Sequence, residues 1–292
     1  MLETLISPPF ALALGIVIAL TVGNPIPRGT TSRLTKILLQ ASVVGLGFGI
    51  NLQKVVEAGK RGVVFTIVTI AGTLTLGFIA GKLMRVEHTI SHLISSGTAI
   101  CGGSAIAAVG PVIGASDEEM SVSLGTVFIL NSIALFIFPL IGHALHLSQT
   151  QFGMWAAIAI HDTSSVVGAA AKYGNEALQI ATTVKLTRAL WIVPLTFATA
   201  LVFHRKSTRI AIPWFIFLFL LASVVRTYVA APQLWNAIAT IAKFGLTVTL
   251  FLIGANLSRK AIAAVGARPL LLGVFLWIVI SCVSLWAVMT TI

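Results

Sequence analysis

The sequence predicts an all-α polytopic membrane protein, on three observations. Of 292 residues only 19 are Lys or Arg and 8 are Asp or Glu, so 9% are charged, against about 25% in an ordinary soluble domain. Apolar residues make up 57% and the mean hydropathy is +1.02. They are gathered into ten blocks of about 20-residue helical length, separated by short polar joins.

In order, the blocks are 8–23, 34–52, 62–84, 89–115, 120–143, 149–172, 177–203, 212–230, 235–257 and 268–290. About ten transmembrane segments in one domain, 1–292, are therefore expected. Joins such as Asn24–Thr31, Gly59–Gly62 and His204–Arg209 are too short to hold a soluble domain. The net charge of +11 does not point to nucleic acid, because the basic residues sit between blocks rather than in a patch with interleaved aromatics. The first block follows Glu3 with no Lys or Arg before it, the wrong start for a cleaved signal peptide, so it is expected to be a retained helix. Cys101 and Cys282 match no metal spacing and are expected to be packing residues.

If every block crosses once, the odd-numbered joins carry Arg28, Arg33, Lys36, Arg85, Arg205, Lys206, Arg209, Arg259, Lys260 and Arg268, and the even-numbered joins carry Lys54, Lys60, Arg61 and Lys172. The positive-inside rule then puts the odd joins in the cytoplasm and both termini outside. Asp117, Glu118 and Glu119 follow block four and are expected to be an external, solvated helix start.

Two internal matches suggest duplication. Gly49–Phe65 resembles Gly254–Leu272, aligning Asn51 with Asn256, Leu52 with Leu257 and, after a gap, Arg61 with Arg268. The repeat-like parts, 8–84 and 212–290, are an odd number of elements apart, so they run in opposite senses, the inverted-topology signature of transporters. The alternative is convergence of two amphipathic joins. Within the central part, 89–203, Ala99–Gly110 matches Ala159–Ala170 without gaps. That match does not fit a five-plus-five duplication unless one or both blocks are re-entrant hairpins.

These two blocks are also the least lipid-like. Block four carries Ser96, Thr98, Gly102, Gly103 and Ser104; adjacent glycines invite a break. A half-helix starting there would aim unpaired N–H groups at an anion. The alternative is a small-residue packing face. In block six His161 and Asp162 interrupt an apolar run and Thr163, Ser164 and Ser165 follow, a good N-cap cluster for a second half-helix. An Asp at membrane depth is a functional expectation; its alternative is a loop end at the interface. Block seven sets Thr182, Lys185 and Arg188 on one helical face ahead of Pro194. Lys185 lies too deep to snorkel with ease, so a partner such as Asp162, or an anionic substrate, is expected. Arg226 and Lys243 are further embedded cations, for which interfacial snorkelling is the competing account.

At "SSGTAICGGSAIAAVGPVIGA", "AIHDTSSVV" and "VKLTR" the sequence resembles the YeiH-like family of bacterial inner-membrane proteins to which sulfate export is ascribed, over nearly the whole chain. The resemblance implies the broad cation–proton antiporter and anion transporter superfamily, with inverted repeats and discontinuous helices crossing near the midplane. It also implies export of sulfate, sulfite or a related sulfur oxyanion. Relatives often carry an additional N-terminal span and often have Gln where this chain has Ser165.

The reading is a multi-pass inner-membrane secondary transporter of a small anion, working by alternating access, with substrate contacts at Ser96, Thr98, Gly102, Gly103, Ser104, His161, Asp162, Thr163, Ser164, Lys185 and Arg188. No metal, cofactor or nucleic acid is expected, only a coupling proton or sodium ion, the lipid bilayer and room for a homodimer. The nearest rival is a sodium- or proton-coupled cation antiporter centred on Asp162, or a carrier of another organic anion. An intramembrane hydrolase using Ser104 or Ser164 with His161 lacks a nucleophile-elbow motif, so no enzyme is expected.

Overall fold

Helices form where the apolar blocks lie, and the joins between them decide the architecture. The computed structural model of the chain describes residues 8–21, 28–203, 214–256 and 265–292. Outside them fall Glu3, residues 24–27 of the join 24–31, the basic join 204–209, Leu257, and Arg259 and Lys260 of the second repeat copy. Among the described residues thirteen helices are present: α1 (Pro8–Thr21), α2 (Arg28–Gly47), α3 (Leu52–Leu83), α4 (His88–Ala99), α5 (Gly103–Ile113), α6 (Asp117–Ala144), α7 (Gln149–Ala159), α8 (Thr163–Tyr173), α9 (Asn175–Ala189), α10 (Ile192–Val202), α11 (Trp214–Tyr228), α12 (Pro232–Asn256) and α13 (Ala267–Thr291). Among the described residues five stretches are long and apolar enough to cross a membrane: 66–83, 117–144, 175–202, 232–255 and 267–291. Large apolar side chains such as Val68, Leu140, Ile241 and Trp286 face outward.

Local chemistry starts and stops these helices. Asn51 caps α3 by accepting from the Gln53 N–H at 2.8 Å. Ser116 with Glu119, and Ser148 with Gln151, form reciprocal capping boxes on α6 and α7. After α3 and α6 the chain turns at Arg85 (φ 54°) and His146 (φ 53°). Val86 N–H then returns to Gly81 O at 2.9 Å, and Leu147 N–H to Gly142 O at 3.0 Å, the six-to-one bond of a Schellman turn. Pro194 has no N–H to donate, and the helix of block seven is interrupted just before it, at Leu190 and Trp191.

Blocks four and six do not continue in one direction. Gln149, at the start of α7, accepts from the N–H groups of Glu176 at 3.0 Å and Ala177 at 3.3 Å, beyond the end of α8. Tyr173, at that end, donates its hydroxyl to Leu147 O at 2.6 Å and stacks on Phe152 with ring centroids 3.8 Å apart. An uninterrupted helix would hold residues 149 and 173 roughly 36 Å apart. Helices α7 and α8 are therefore the two arms of a hairpin. In block four, a Cβ on Gly97 would lie 3.0 Å from Ile106 Cδ1, although nine helical steps span roughly 13 Å. Glu87 and Thr89, at the start of α4, reach the Glu119 carboxylate beyond the end of α5. Helices α4 and α5 are a second hairpin.

Helix α6 joins the two mouths. Its 28 residues at about 1.5 Å each are roughly 42 Å long, so the mouths lie on opposite faces of the molecule. Blocks four and six return to the face they left, the re-entrant form that the sequence leaves open beside single crossings. The acidic join 117–119 shares a face with Arg85, which corrects the expectation that it lies opposite.

The helices group into two bodies. Helices α1, α2, α11 and α12 pack together. A Cβ on Gly15 would overlap the Phe251 carbonyl oxygen, and one on Gly254 the Leu12 carbonyl oxygen, so α1 and α12 meet backbone to backbone. The second body holds α3 to α10 with α13. There Gly77 and Gly81 of α3 receive Ser95 and Ser91 of α4, and the Ser91 hydroxyl donates to Gly77 O at 2.9 Å.

Candidate functional site

The tips of the two hairpins meet. Between α4 and α5 the chain passes through Gly102 at φ 63°, ψ −123°, a region that only glycine enters without strain. A Cβ at Gly102 would sit 3.1 Å from Val127 Cγ1 and 3.4 Å from both Asp162 N and the His161 carbonyl carbon. The absence of a side chain there lets one tip lie against the other.

Three side chains fasten this junction, Asn131 from the middle of α6 and Lys185 and Arg188 from the second half of α9. Asn131 of α6 accepts at Oδ1 from the N–H groups of His161 at 3.1 Å and Asp162 at 3.2 Å. Lys185 of α9 donates from Nζ to Ile100 O at 2.9 Å and Ile160 O at 2.8 Å, carbonyls at the ends of α4 and α7. Arg188 donates from Nη2 to Ala99 O at 2.5 Å and from Nη1 to Thr69 Oγ1 of α3 at 3.0 Å. Lys185 is 0% and Arg188 1% exposed, which leaves neither room to snorkel.

The electrostatics follow from the helix ends. The last carbonyls of a helix carry partial negative charge and the first N–H groups partial positive charge. Lys185 serves the C-terminal ends of both inward-running arms, and Arg188 serves that of α4. Asp162 sits at the N-terminus of α8, accepting from Ser164 N at 3.0 Å and Ser165 N at 3.4 Å, and its Oδ2 also accepts from the Ser164 hydroxyl. Helix α5 begins with no side-chain cap.

Around these bonds lies a set of buried polar atoms without hydrogen-bond partners: Ser96 Oγ, Thr98 Oγ1, Asn131 Nδ2, Arg188 Nε and both ring nitrogens of His161. Burying polar groups without partners is costly. Their clustering at one junction sets hydroxyl, amide and guanidinium donors beside an imidazole, in reach of one another's helix ends.

Of the residues singled out from sequence, Ser96, Thr98, Gly102, His161, Asp162, Thr163, Ser164, Lys185 and Arg188 come together at or beside the tips. Gly103 is half-buried, and Ser104, in the first turn of α5, is exposed. The hydrogen bonds of Lys185 go to backbone carbonyls, neither to an open site nor to the Asp162 carboxylate. Asn131 and Thr69 were not singled out. A lone Asn in the middle of the 28-residue apolar helix α6 was the available signal for Asn131, whereas Thr69 is one of many threonines. Arg226 is half-buried in the last turn of α11. Cys101 is buried and Cys282 exposed.

Comparison with known proteins gives a consistent family. A family described as "Conserved hypothetical protein 698" matches residues 1–273. A protein of Bacteroides thetaiotaomicron named "UPF0324 membrane protein" is 58% identical over 283 residues, covering 96% of this chain and 86% of that one. A protein of the same name from Porphyromonas gingivalis is 54% identical, covering 96% and 86%. "UPF0324 membrane protein Bd1437" of Bdellovibrio bacteriovorus is 50% identical, covering 97% and 89%. No solved structure matches.

Proposed function

Because the chain belongs to the YeiH-like UPF0324 family of membrane proteins, we propose that it is a secondary transporter of a small anion in the bacterial inner membrane, moving its substrate without covalent chemistry. The observation that carries this reading is the meeting of two oppositely rooted hairpins at a buried polar junction. Irregular backbone at membrane depth is tolerated only where it is enclosed by protein or lines a polar cavity, and broken elements around a central site are a transporter's design.

In this reading α1, α2, α3, α6, α9–α10, α11, α12 and α13 cross the bilayer, and the two hairpins enter it from opposite sides. The face holding the mouth of α4–α5, with Arg85, is cytoplasmic. Helices α1 to α3 then run opposite to α11 to α13, and α4–α5–α6 opposite to α7–α8–α9. This gives both internal sequence matches the same inverted relation. Alternating access is a movement of the hairpin body against the body of α1, α2, α11 and α12.

The substrate class proposed is sulfate, sulfite or a related sulfur oxyanion, on the strength of the family resemblance. Asp162, half-buried and with a hydroxyl on its carboxylate, favours a second role beside it, carriage of a coupling proton. The test is counterflow of radiolabelled sulfate and sulfite in proteoliposomes, with and without a pH gradient. Saturable flux that competing oxyanions suppress is expected. Flux of sodium or protons with no anion dependence would replace the anion reading with cation antiport at Asp162.

A further inference from the structure

The two bodies are separated, on the face that carries the mouth of α7–α8, by a cavity of about 220 Å³. Its polar lining comes from two helices. Helix α9 contributes Asn175, Gln179 and Thr182, and helix α12 contributes Asn236, Thr240 and Lys243. Each set is spaced i, i+4, i+7, so each is a single stripe down one helical face. Both helices start at the same face and run inward side by side, so the stripes face each other across the gap. Neither stripe is needed for packing against lipid, and the α9 stripe ends one turn before Lys185.

Lys243 sets the sign of this space. It lies near the middle of α12 and donates from Nζ to Asn175 Oδ1 at 2.9 Å. An ammonium has three donors, so two remain for a ligand. Among the described residues no carboxylate lines the cavity. The nearest along the chain, Glu176, accepts from Thr150 Oγ1 at 2.9 Å on α7. The hydroxyls of Thr182 and Thr240 donate to their own helices, at 2.7 and 2.8 Å, leaving amide groups and the ammonium as donors.

We propose that this cavity is an oxyanion-binding vestibule, in which Lys243 holds a small inorganic oxyanion between the face of the α7–α8 mouth and the hairpin tips. It rests on the anion-transport reading and deepens it: Lys243 is a substrate-facing cation, whereas Lys185 is committed to two helix ends and Arg188 to Ala99 O and Thr69, with Nε left over. The volume lies below the roughly 300–1,000 Å³ of sites for drug-sized ligands. It suits a four- or five-atom anion with part of its hydration shell.

The experiment uses the full chain carrying Cys282→Ala and Thr240→Cys, reacted in nanodiscs with anionic and cationic methanethiosulfonates of similar size. Binding and counterflow of radiolabelled sulfate are measured in the otherwise native chain, with sulfite, phosphate and nitrate as competitors. The anionic reagent should react faster. Lys243→Gln should lower that preference and sulfate affinity by about tenfold or more, since charge-assisted hydrogen bonds are the stronger class, while Lys243→Arg keeps both. Retention of size-exclusion profile by Lys243→Gln separates this from misfolding. If the native chain carries an anion of the panel but Lys243→Gln binds and carries it equally, with the reagent preference unchanged, the vestibule is overturned and the anion reading stands. If the native chain carries none of the panel and the preference is independent of Lys243, both are overturned.

Discussion

Replacing Lys185 with Met separates a lysine that serves the substrate from one that holds the hairpins. Methionine keeps much of the apolar stem, so the main loss is the ammonium. Two buried carbonyls, Ile100 O at 2.9 Å and Ile160 O at 2.8 Å, then lose their donor. Each orphaned group costs about 1–3 kcal/mol, together about 2–6 kcal/mol. Relief of the buried charge works the other way, but removing only one partner of a buried polar pair is destabilising on balance. Two helix C-termini with like partial charges would also be left facing one another. At least about 2 kcal/mol of net loss is expected, and at roughly 2–4 °C per kcal/mol the melting temperature should fall by about 4–8 °C or more. Scanning fluorimetry of the purified protein measures this, beside sulfate counterflow in the same preparation. Lys185→Arg should recover part of the loss. A Lys185→Met protein that melts as the native chain does, yet has lost transport, would refute the capping account and make Lys185 a substrate ligand.

Three further outcomes follow from the same geometry. Asn131→Leu leaves the N–H groups of His161 and Asp162 unpaired and should cost about 2–6 kcal/mol; Asn131→Asp, which keeps the acceptor, should melt closer to the native chain. Gly102→Ala forces a side chain into φ 63° against Val127 and the opposite tip, with an expected cost of about 1–3 kcal/mol, read as a lower melting temperature. At the mouth of α4–α5, a hydrogen bond to Glu119 raises the Glu87 carboxyl above its ordinary value, while the Ser116 backbone N–H holds Glu119 below its own. The raised Glu87 stabilises the closed mouth fully below the ordinary carboxyl value and loses that contribution as pH rises through its folded value; the depressed Glu119 contributes above the ordinary value and loses it as pH falls through its own folded value. Hydrogen exchange of segments 85–89 and 115–120, corrected for intrinsic rates, should therefore show protection falling as pH rises through the Glu87 transition, and Glu87→Gln should flatten that fall.

The ten helical blocks were legible without a structure, because in an apolar solvent the backbone must satisfy itself and long apolar runs have one outcome. So were the interruptions. Adjacent glycines at 102 and 103 and the Asp162 cap cluster are local signals that act within a turn of where they stand. The cations of block seven were also conspicuous, since charge at that depth demands a partner.

What those interruptions do was decided only by tertiary contacts. A broken segment that crosses and one that turns back have the same composition and the same break. The difference lies in Tyr173 reaching Leu147 and Gln149 reaching Glu176, pairings more than 25 residues apart that no local pattern encodes. The partners of Lys185 and Arg188 were hidden for a related reason. A backbone carbonyl belongs to every residue alike, so a sequence that displays a buried ammonium displays nothing of Ile100 O or Ile160 O. Only once the chain has folded do two helix ends converge on one lysine, and Asn131 become the acceptor for the α7–α8 tip.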